Sequence, residues 1–314
     1  MVSWFFLLLS VLNFSANIPK RTHDFLIVFD VSLSMNARDM MVDGELDSRI
    51  SFVRISLVET LKELPCGTKI GIGIFAGYQT SILYKPVEAC LNYSDLIKSF
   101  SFIETNMIWA GDSEISKGIY NSIKMLDKVD PNVRLVFITD GHEAPPIAAA
   151  YRPRFDQPKN KIEGLIVGVG GQRKIQIPKI NSDGDEIGFW LQEEVMQYDP
   201  FTTGRKGSDA NEKLVDNESS LVDPGLIAAL EASPGLEHLT NLRERYLKLL
   251  ASELNFDYQR LDSGEVLAKK MTEMPYSEWR DVSTILSSIF AALSLFFLFI
   301  AFFPRMTEKL KLFP

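Results

Sequence analysis

Two apolar runs that each end in an aspartate constrain the fold most strongly. The first is FLIVFD at residues 25–30 and the second is VRLVFITD at 133–140. Short, continuous apolar runs predict strands buried on both faces, as in a mainly parallel sheet covered by helices. Because ligands bind beyond the carboxyl ends of such strands, we expect Asp30 and Asp140 to meet at one edge of the sheet.

The rest of the pattern supports the same α/β class. Helical periodicity marks 48–64, 93–103, 113–129 and 239–254, and further strand-like runs lie at 68–76, 80–87 and 161–170. Strands that alternate with amphipathic helices predict one domain over 22–272, with helices on both faces of the sheet. A hairpin around 181–185 and a polar insertion are expected within about 172–220.

A triplet of oxygen-bearing side chains follows the first strand. Ser32 and Ser34 come after Asp30 at alternate positions, which places the three side chains on one side of the chain. Carboxylate and hydroxyl oxygens suit hard cations such as Mg²⁺ or Ca²⁺. One such triplet is common after strands, but together with Asp140 at a second strand end it favours a metal site.

Two further polar residues follow Asp140. His142 and Glu143 are candidates for contacting a partner, and solvated loop residues before a Pro-Pro turn explain them equally well. No histidine stands beside a nucleophile in a pattern typical of a hydrolase, so we expect no enzymatic activity. The formal net charge of −8 provides no basic stripe for phosphates and argues against a nucleic-acid partner.

The motifs FDVSLSM at 29–35 and VFITDG at 136–141 resemble the metal-ion-dependent adhesion site of the von Willebrand factor A domain. The resemblance implies a Rossmann-like fold, largely parallel with one antiparallel edge strand. It also implies a Mg²⁺ or Ca²⁺ site formed by Asp30, Ser32, Ser34 and Asp140.

One metal ligand of that family has no clear counterpart. The family supplies a threonine from a loop that here reads MIWA at 107–110, without a hydroxyl. Asp112 is the expected replacement, with Ser113 or Thr105 as alternatives. The departure leaves open a metal-free site in which Asp30 only hydrogen-bonds Ser32.

Longer stretches resemble a narrower group, the MxaL-type accessory proteins of bacterial methanol-oxidation gene clusters. They include LPCGTKIGIGIFA at 64–76, WAGDSEISKGIY at 109–120 and GLIVGVGG at 164–171. That resemblance implies help with calcium insertion into a PQQ-dependent methanol dehydrogenase or its precursor. Expected partners are other membrane-anchored accessory proteins and a MoxR-type ATPase. The alternative is an aerotolerance-type membrane A-domain scaffold that binds its partners without metal.

The two ends of the chain predict membrane attachment. Residues 282–303 carry no charge, and about 20 apolar residues are enough to span a bilayer. Basic residues follow this segment, which places the C-terminal tail in the cytoplasm and the main domain in the periplasm. Residues 1–17 are expected to be an uncleaved anchor or a signal segment. Cys66 and Cys90 could form a disulfide there, and two buried thiols are the other interpretation.

Overall fold

The computed structural model describes residues 2–12, 14–110, 113–130, 132–144, 162–181, 184–195, 236–273 and 277–310. They belong to two compact units. The larger unit is His23–Tyr276, and the smaller, terminal unit combines Met1–Thr22 with Ser277–Pro314. The predicted metal ligand Asp112 and most of the predicted polar insertion lie outside the described residues.

The described residues form strands and helices along the whole chain. The strands are β1 (Ser15–Thr22), β2 (Asp24–Asp30), β3 (Arg38–Val42), β4 (Glu45–Ser48), β5 (Lys69–Ala76), β6 (Gln79–Glu88), β7 (Arg134–Thr139), β8 (Gly164–Gly168), β9 (Ile175–Gln176), β10 (Pro178–Ile180), β11 (Glu186–Phe189), β12 (Leu239–Thr240), β13 (Asp257–Arg260) and β14 (Glu278–Ile285). The helices are α1 (Val2–Val11), α2 (Arg49–Glu63), α3 (Tyr93–Phe102), α4 (Ile115–Val129), α5 (Glu244–Leu254), α6 (Gly264–Glu273) and α7 (Ser287–Leu310).

The larger unit is built on a six-stranded sheet in the order β13-β8-β7-β2-β5-β6. The first five strands run parallel, and β6 pairs antiparallel with β5 at the edge. This arrangement confirms the predicted α/β class with a mainly parallel sheet. Since β2 lies between β5 and β7, Asp30 leaves the sheet beside the end of the strand that precedes Asp140.

Both faces of the sheet are buried, as the continuous apolar runs predict. Along β2, alternate side chains enter two separate hydrophobic clusters, with Phe25 and Ile27 in one and Leu26 in the other. Helices α2, α3 and α6 contribute to the first cluster, and α4 and α5 to the second. Close packing is required at Gly118 in α4, where an added Cβ would lie 2.1 Å from the ring of Phe75.

Several local predictions are confirmed. Ser48 caps α2 by accepting a hydrogen bond from the backbone N–H of Ser51 at 3.3 Å. The predicted hairpin around 181–185 is formed by β10 and β11. Cys66 and Cys90 form a disulfide with a Cα–Cα separation of 5.3 Å, which decides between the two interpretations of these cysteines.

Other boundaries were predicted wrongly. The helix expected over 239–254 begins only at Glu244, because Leu239 and Thr240 pair with β9. The hairpin of β3 and β4 was not predicted, since its sequence has no clear alternation of apolar and polar residues.

The terminal unit differs most from the prediction. Strands β1 and β14 pair antiparallel from Ser15↔Ile285 to Thr22↔Glu278, so the segment expected to be helical over 282–303 starts as a strand. Its helix begins at Ser287 and packs against α1. Within the described part of the chain, none of the helices combines the length and the apolar composition that a bilayer crossing needs.

Candidate functional site

Asp30 lies at the carboxyl end of β2 with both carboxylate oxygens accepting hydrogen bonds. Oδ1 accepts from the backbone N–H of Ser32 at 2.8 Å, and Oδ2 accepts from the hydroxyl of Thr139 at 2.6 Å. Thr139 ends β7, so this second bond joins the ends of the two strands. The carboxylate is fully buried beneath the hydroxyls of the serines that follow it.

Asp140 follows directly after β7 and accepts hydrogen bonds from several groups, the side chain of Ser34 among them. Its Oδ1 accepts from the backbone N–H of His142 at 2.9 Å. Its Oδ2 accepts from the hydroxyl of Thr240 at 3.0 Å and from Nη1 of Arg49. Asp30, Ser32, Ser34 and Asp140 therefore converge at one edge of the sheet, and we call them the aspartate rim.

Arg49 is the residue of this site that the sequence did not reveal. It is the first residue of α2, and its side chain is 0% exposed. Its Nε and Nη2 donate to the two oxygens of Asp39 at 2.9 and 2.6 Å, and Nη1 also donates to Thr240 at 2.9 Å. An arginine at a helix start resembles an ordinary solvated residue, and its acidic partners are distant in sequence or in a hairpin that was not predicted.

Burial and neighbouring charges shift the pKa values of the two aspartates in opposite directions. Burial, and then the charge of Asp140, raises the pKa of Asp30 to about 7. Burial acts in the same direction on Asp140, but the Arg49 guanidinium, the nearby His142 and the hydrogen bonds to the carboxylate together lower the pKa of Asp140. Asp140 is thus ionised at neutral pH, and Asp30 is the member of the pair that takes up a proton first as pH falls.

The donor set fits a hard divalent cation. The hydroxyls of Ser32 and Ser34 lie 3.2 Å apart, a separation suited to two oxygens on one ion. Arg49 pairs with Asp39 and Asp140, so these two carboxylates share one guanidinium, and an ionised Asp30 adds a further negative charge at the same edge of the sheet. A divalent cation would offset this excess of negative charge.

The proposed replacements for the missing threonine ligand are placed differently. The Thr105 hydroxyl is buried and donates to Oδ1 of Asn36. Ser113 is buried in the wall of a cavity that Ser32 and Ser34 also line.

This cavity has a volume of about 450 Å³ and opens directly above the rim serines. Its walls come from the loop after β2, the loop after β7 and residues outside the central sheet, namely Ile177, Trp190, Glu194, Val195 and Glu237. Leu33, Ile177 and Trp190 provide apolar surface, and His142, Glu194 and Glu237 provide polar surface. A space of this size is within the range of ligand-binding sites.

The two predicted partner-contacting residues occupy different environments. His142 is buried in the cavity wall, and burial lowers its pKa to about 4, with Arg243 and Arg49 adding to the effect and Asp140 opposing it. Glu143 accepts hydrogen bonds from the Tyr246 hydroxyl and from the Ser116 backbone N–H at the start of α4. Burial raises the pKa of Glu143 to about 7.

No family model matches the sequence, and no curated protein matches it. Solved structures that resemble the fold include an aerotolerance-related membrane protein from Bacteroides fragilis and the conserved hypothetical protein BatB from Bacteroides thetaiotaomicron. Each has a TM-score of 0.48 and 18% identity to this chain. Each match covers 80% of this chain, together with 97% of the Bacteroides fragilis chain and 98% of the Bacteroides thetaiotaomicron chain.

A von Willebrand factor type A protein from Catenulispora acidiphila has a TM-score of 0.38 and 10% identity. The match covers 81% of this chain and 42% of that one. These likenesses are too weak to carry an argument, so the interpretation of the site depends on its own geometry.

Proposed function

We propose that the protein is a non-enzymatic, membrane-associated scaffold of the von Willebrand factor A type that captures a protein partner at the aspartate rim. The observation that carries the proposal is the cavity of about 450 Å³ lined by Ser32 and Ser34, next to an Asp30 carboxylate that accepts hydrogen bonds from Ser32 and Thr139. A rigid set of side chains below an open space suits binding, because these side chains lose little conformational entropy when a partner binds.

The chemistry of the cavity supports binding over catalysis. A general base works best when its pKa lies near the operating pH. His142, with a pKa of about 4, is a weak base at neutral pH. Glu143 has a pKa near 7, but it caps the start of α4 and bonds to Tyr246, so its position is explained by the fold.

A bound cation is part of the proposal. Asp30, Ser32, Ser34 and Asp140 would hold Mg²⁺ or Ca²⁺, with Asp112 as a further candidate from the sequence. When bound, such an ion supplies an open coordination position for an oxygen of the partner. In the metal-free alternative the partner contacts the cavity walls directly, and capture then persists in chelator.

Membrane association is proposed from the terminal unit. Large apolar side chains are exposed on both of its helices, including Trp4 at 74% and Val11 at 73% on α1, and Leu295 at 67% and Phe299 at 61% on α7. Apolar surface of this extent marks contact with lipid or another protein. The orientation expected from the sequence, with the larger unit in the periplasm and the C-terminal tail in the cytoplasm, requires a bilayer crossing that no described helix provides, and it stays a prediction. The Cys66–Cys90 disulfide is compatible with an oxidising compartment.

Between the two versions expected from the sequence, we favour the aerotolerance-type scaffold over methanol dehydrogenase maturation, and we add to it the bound cation that the sequence expectation left out. The features of the site support capture of a protein in general, and none of them specifies methanol dehydrogenase. Maturation of that enzyme, with membrane-anchored accessory proteins and a MoxR-type ATPase as partners, stays a prediction from the sequence resemblance.

The test is co-purification of the full chain from membranes of its own cell. Leu33→Glu places a charge in the cavity wall, whereas Leu91→Glu makes the same change at a leucine that is 84% exposed elsewhere. We expect Leu33→Glu to lose the captured partner and Leu91→Glu to retain it. Capture of the same partner at equal yield by both variants would exclude the cavity as the binding site. Repeating the wild-type experiment in chelator separates the cation-dependent version from the metal-free one.

A further inference from the structure

The geometry points to a second binding surface, on the β10–β11 hairpin, for an extended segment of a partner protein in which basic residues flank an apolar stretch. We call this surface the hairpin row and define it as Asp185, Ile187, Phe189, Leu191 and Glu193. None of these five side chains lines the cavity above the rim serines. The inference therefore goes beyond the proposed function, and it can be tested without the aspartate rim.

The hairpin row arises from the alternation of side chains along an extended chain, in which neighbours point to opposite faces. Trp190 lines the cavity, so Phe189 and Leu191 on either side of it point away from the cavity. The chain is extended here because Ile187 and Phe189 belong to β11, and Leu191 has φ of −96° and ψ of 159°. In chain order, the three apolar side chains are accordingly 63%, 44% and 47% exposed.

The apolar face of the hairpin is open, and the hairpin itself is held in place. β11 pairs with β10 in a sheet of two strands, and the exposure of its side chains shows that no described element covers them. Arg38 of β3 lies 3.0 Å from Glu186, and Lys179 of β10 pairs with Glu194. A fixed row of large, exposed apolar side chains marks contact with another protein, and it loses little conformational entropy on binding.

The charge of the hairpin specifies the kind of partner. Residues 175–195 contain five acidic residues and one lysine, so this short segment carries half of the net charge of −8 of the chain. Of the described basic side chains, none forms an ion pair with Asp185 or Glu193, and the Asn181 amide 3.4 Å from Asp185 is neutral. The apolar row thus has an uncompensated negative charge at each end. Charge complementarity then favours a partner with lysine or arginine at the matching positions.

The same features disfavour other classes of partner. Negative charge repels anionic lipid headgroups and nucleic-acid phosphates. Side chains two positions apart on a strand lie about 6.6 Å apart, and an extended partner segment repeats at the same spacing. A helix presents its apolar residues at intervals of three and four positions and matches this row poorly. The observations therefore favour an extended segment in which apolar and polar residues alternate.

The probe is a terminally blocked fluorescent peptide as long as the hairpin row, with lysine at both ends and leucine alternating with threonine between them. Its binding to the full chain in neutral detergent is followed by fluorescence anisotropy, and protein-free detergent gives the background. We expect binding that weakens as salt is added, because salt screens contacts between exposed charges. A second peptide with glutamate in place of lysine should bind at least tenfold more weakly.

Two double variants locate the charged part of the site. Asp185→Lys with Glu193→Lys should weaken binding of the lysine peptide at least tenfold, since attraction becomes repulsion at both ends of the row. The matched control, Glu63→Lys with Glu273→Lys, makes the same change in net charge at exposed residues that end α2 and α6. It should stay within about threefold of wild type, because exposed charges are screened beyond about 10 Å.

Single changes test the apolar part of the row. Ile187→Ser should weaken binding of the lysine peptide at least threefold, and Leu91→Ser should not, although it removes a leucine that is 84% exposed elsewhere. Leu33→Glu, the cavity variant, should bind the peptide as wild type does. This last comparison keeps failure of the hairpin row distinguishable from failure of the aspartate rim.

Three results would overturn the inference. One is the absence of wild-type binding up to about 1 mM lysine peptide, the weakest affinity that a useful contact would have. Another is an equal loss of binding in the two double variants, which would assign the effect to net charge alone. The third is equal binding of the lysine and glutamate peptides, which would leave the acidic ends of the row without a role. Circular dichroism of each variant establishes that it is folded.

Discussion

The buried guanidinium of Arg49 permits a sharp prediction about stability. Replacement by methionine keeps an unbranched apolar stem but leaves Asp140, 0% exposed, and Asp39, 10% exposed, without their cation. Removing one partner of a buried ion pair typically costs about 3–5 kcal/mol. We expect Arg49→Met to lose about 4 kcal/mol, a large part of the roughly 5–15 kcal/mol that stabilises a typical domain.

The assay is thermal unfolding of the full chain followed by circular dichroism. For a unit of this size each kcal/mol shifts the Tm by about 2–4 °C, so the predicted loss lowers it by about 8–16 °C. The matched control is Arg54→Met, because the side chain of Arg54 is 24% exposed and lies 3.5 Å from Glu104. Surface pairs contribute about 0–1 kcal/mol, and the control should melt within a few degrees of wild type.

The same variant has a predicted pH dependence. Arg49 lowers the pKa of Asp140 in the folded protein, so this contribution to stability is present above the pKa of the unfolded chain and is lost as pH falls through the folded pKa. In Arg49→Met, burial loses its largest opposing influence at Asp140, so the pKa of Asp140 is higher than in wild type. Protonation of Asp140 at low pH then removes part of the cost of the substitution. The gap in Tm between wild type and variant should therefore narrow towards low pH. A gap below about 2 °C at pH 7, or one that widens in acid, would refute the assigned role of Arg49.

Three further predictions concern other parts of the larger unit. The raised pKa of Asp30 makes the wild-type free energy of unfolding fall as pH rises towards about 7, and Asp30→Asn should remove this part of the pH dependence. Urea unfolding of both proteins at pH 4 and pH 8 measures it, and the same change between the two pH values in both proteins would contradict the prediction. Gly118→Ala should cost about 1–3 kcal/mol, because its Cβ would meet the ring of Phe75 at 2.1 Å, and a change in Tm below about 2 °C would count against the close packing. The double change Cys66→Ser with Cys90→Ser should lose about 3 kcal/mol, estimated from the sequence separation of 24, and unfolding of wild type with and without a reductant provides the same comparison.

The central sheet could be predicted because each of its strands is marked by a short run of neighbouring residues in the sequence. Continuous apolar runs such as FLIVFD identify buried strands, and their aspartate ends identify the edge at which ligands bind. The topology then brings Asp30, Ser32, Ser34 and Asp140 together. The same local rules find Ser48 as the start of α2, since a cap is defined by its immediate neighbours.

The partners of these residues could not be predicted, because they are set by contacts between distant segments. Arg49 and Asp140 are separated by 91 positions, and Thr240 lies another 100 beyond Asp140. Strand β14 was missed for a related reason. Its last four residues, 282–285, carry no charge and are followed by the uncharged first residues of α7, so composition alone assigns both to one helix. Only pairing with β1 separates them.

The cavity restricts what can reach the serines of the rim. Two of its walls come from segments outside the central sheet, the hairpin region with Ile177 and Trp190 and the stretch that contains Glu237. The hairpin region is fixed to the rest of the unit because Ile177 accepts from the Trp190 backbone N–H and donates to the carbonyl of His238. If the rim captures a partner as proposed, a flat surface does not reach the serines within this partly open space of about 450 Å³, so the partner presents a projecting loop or chain end. Under that proposal the hairpin selects a partner by its shape before the rim acts on its chemistry.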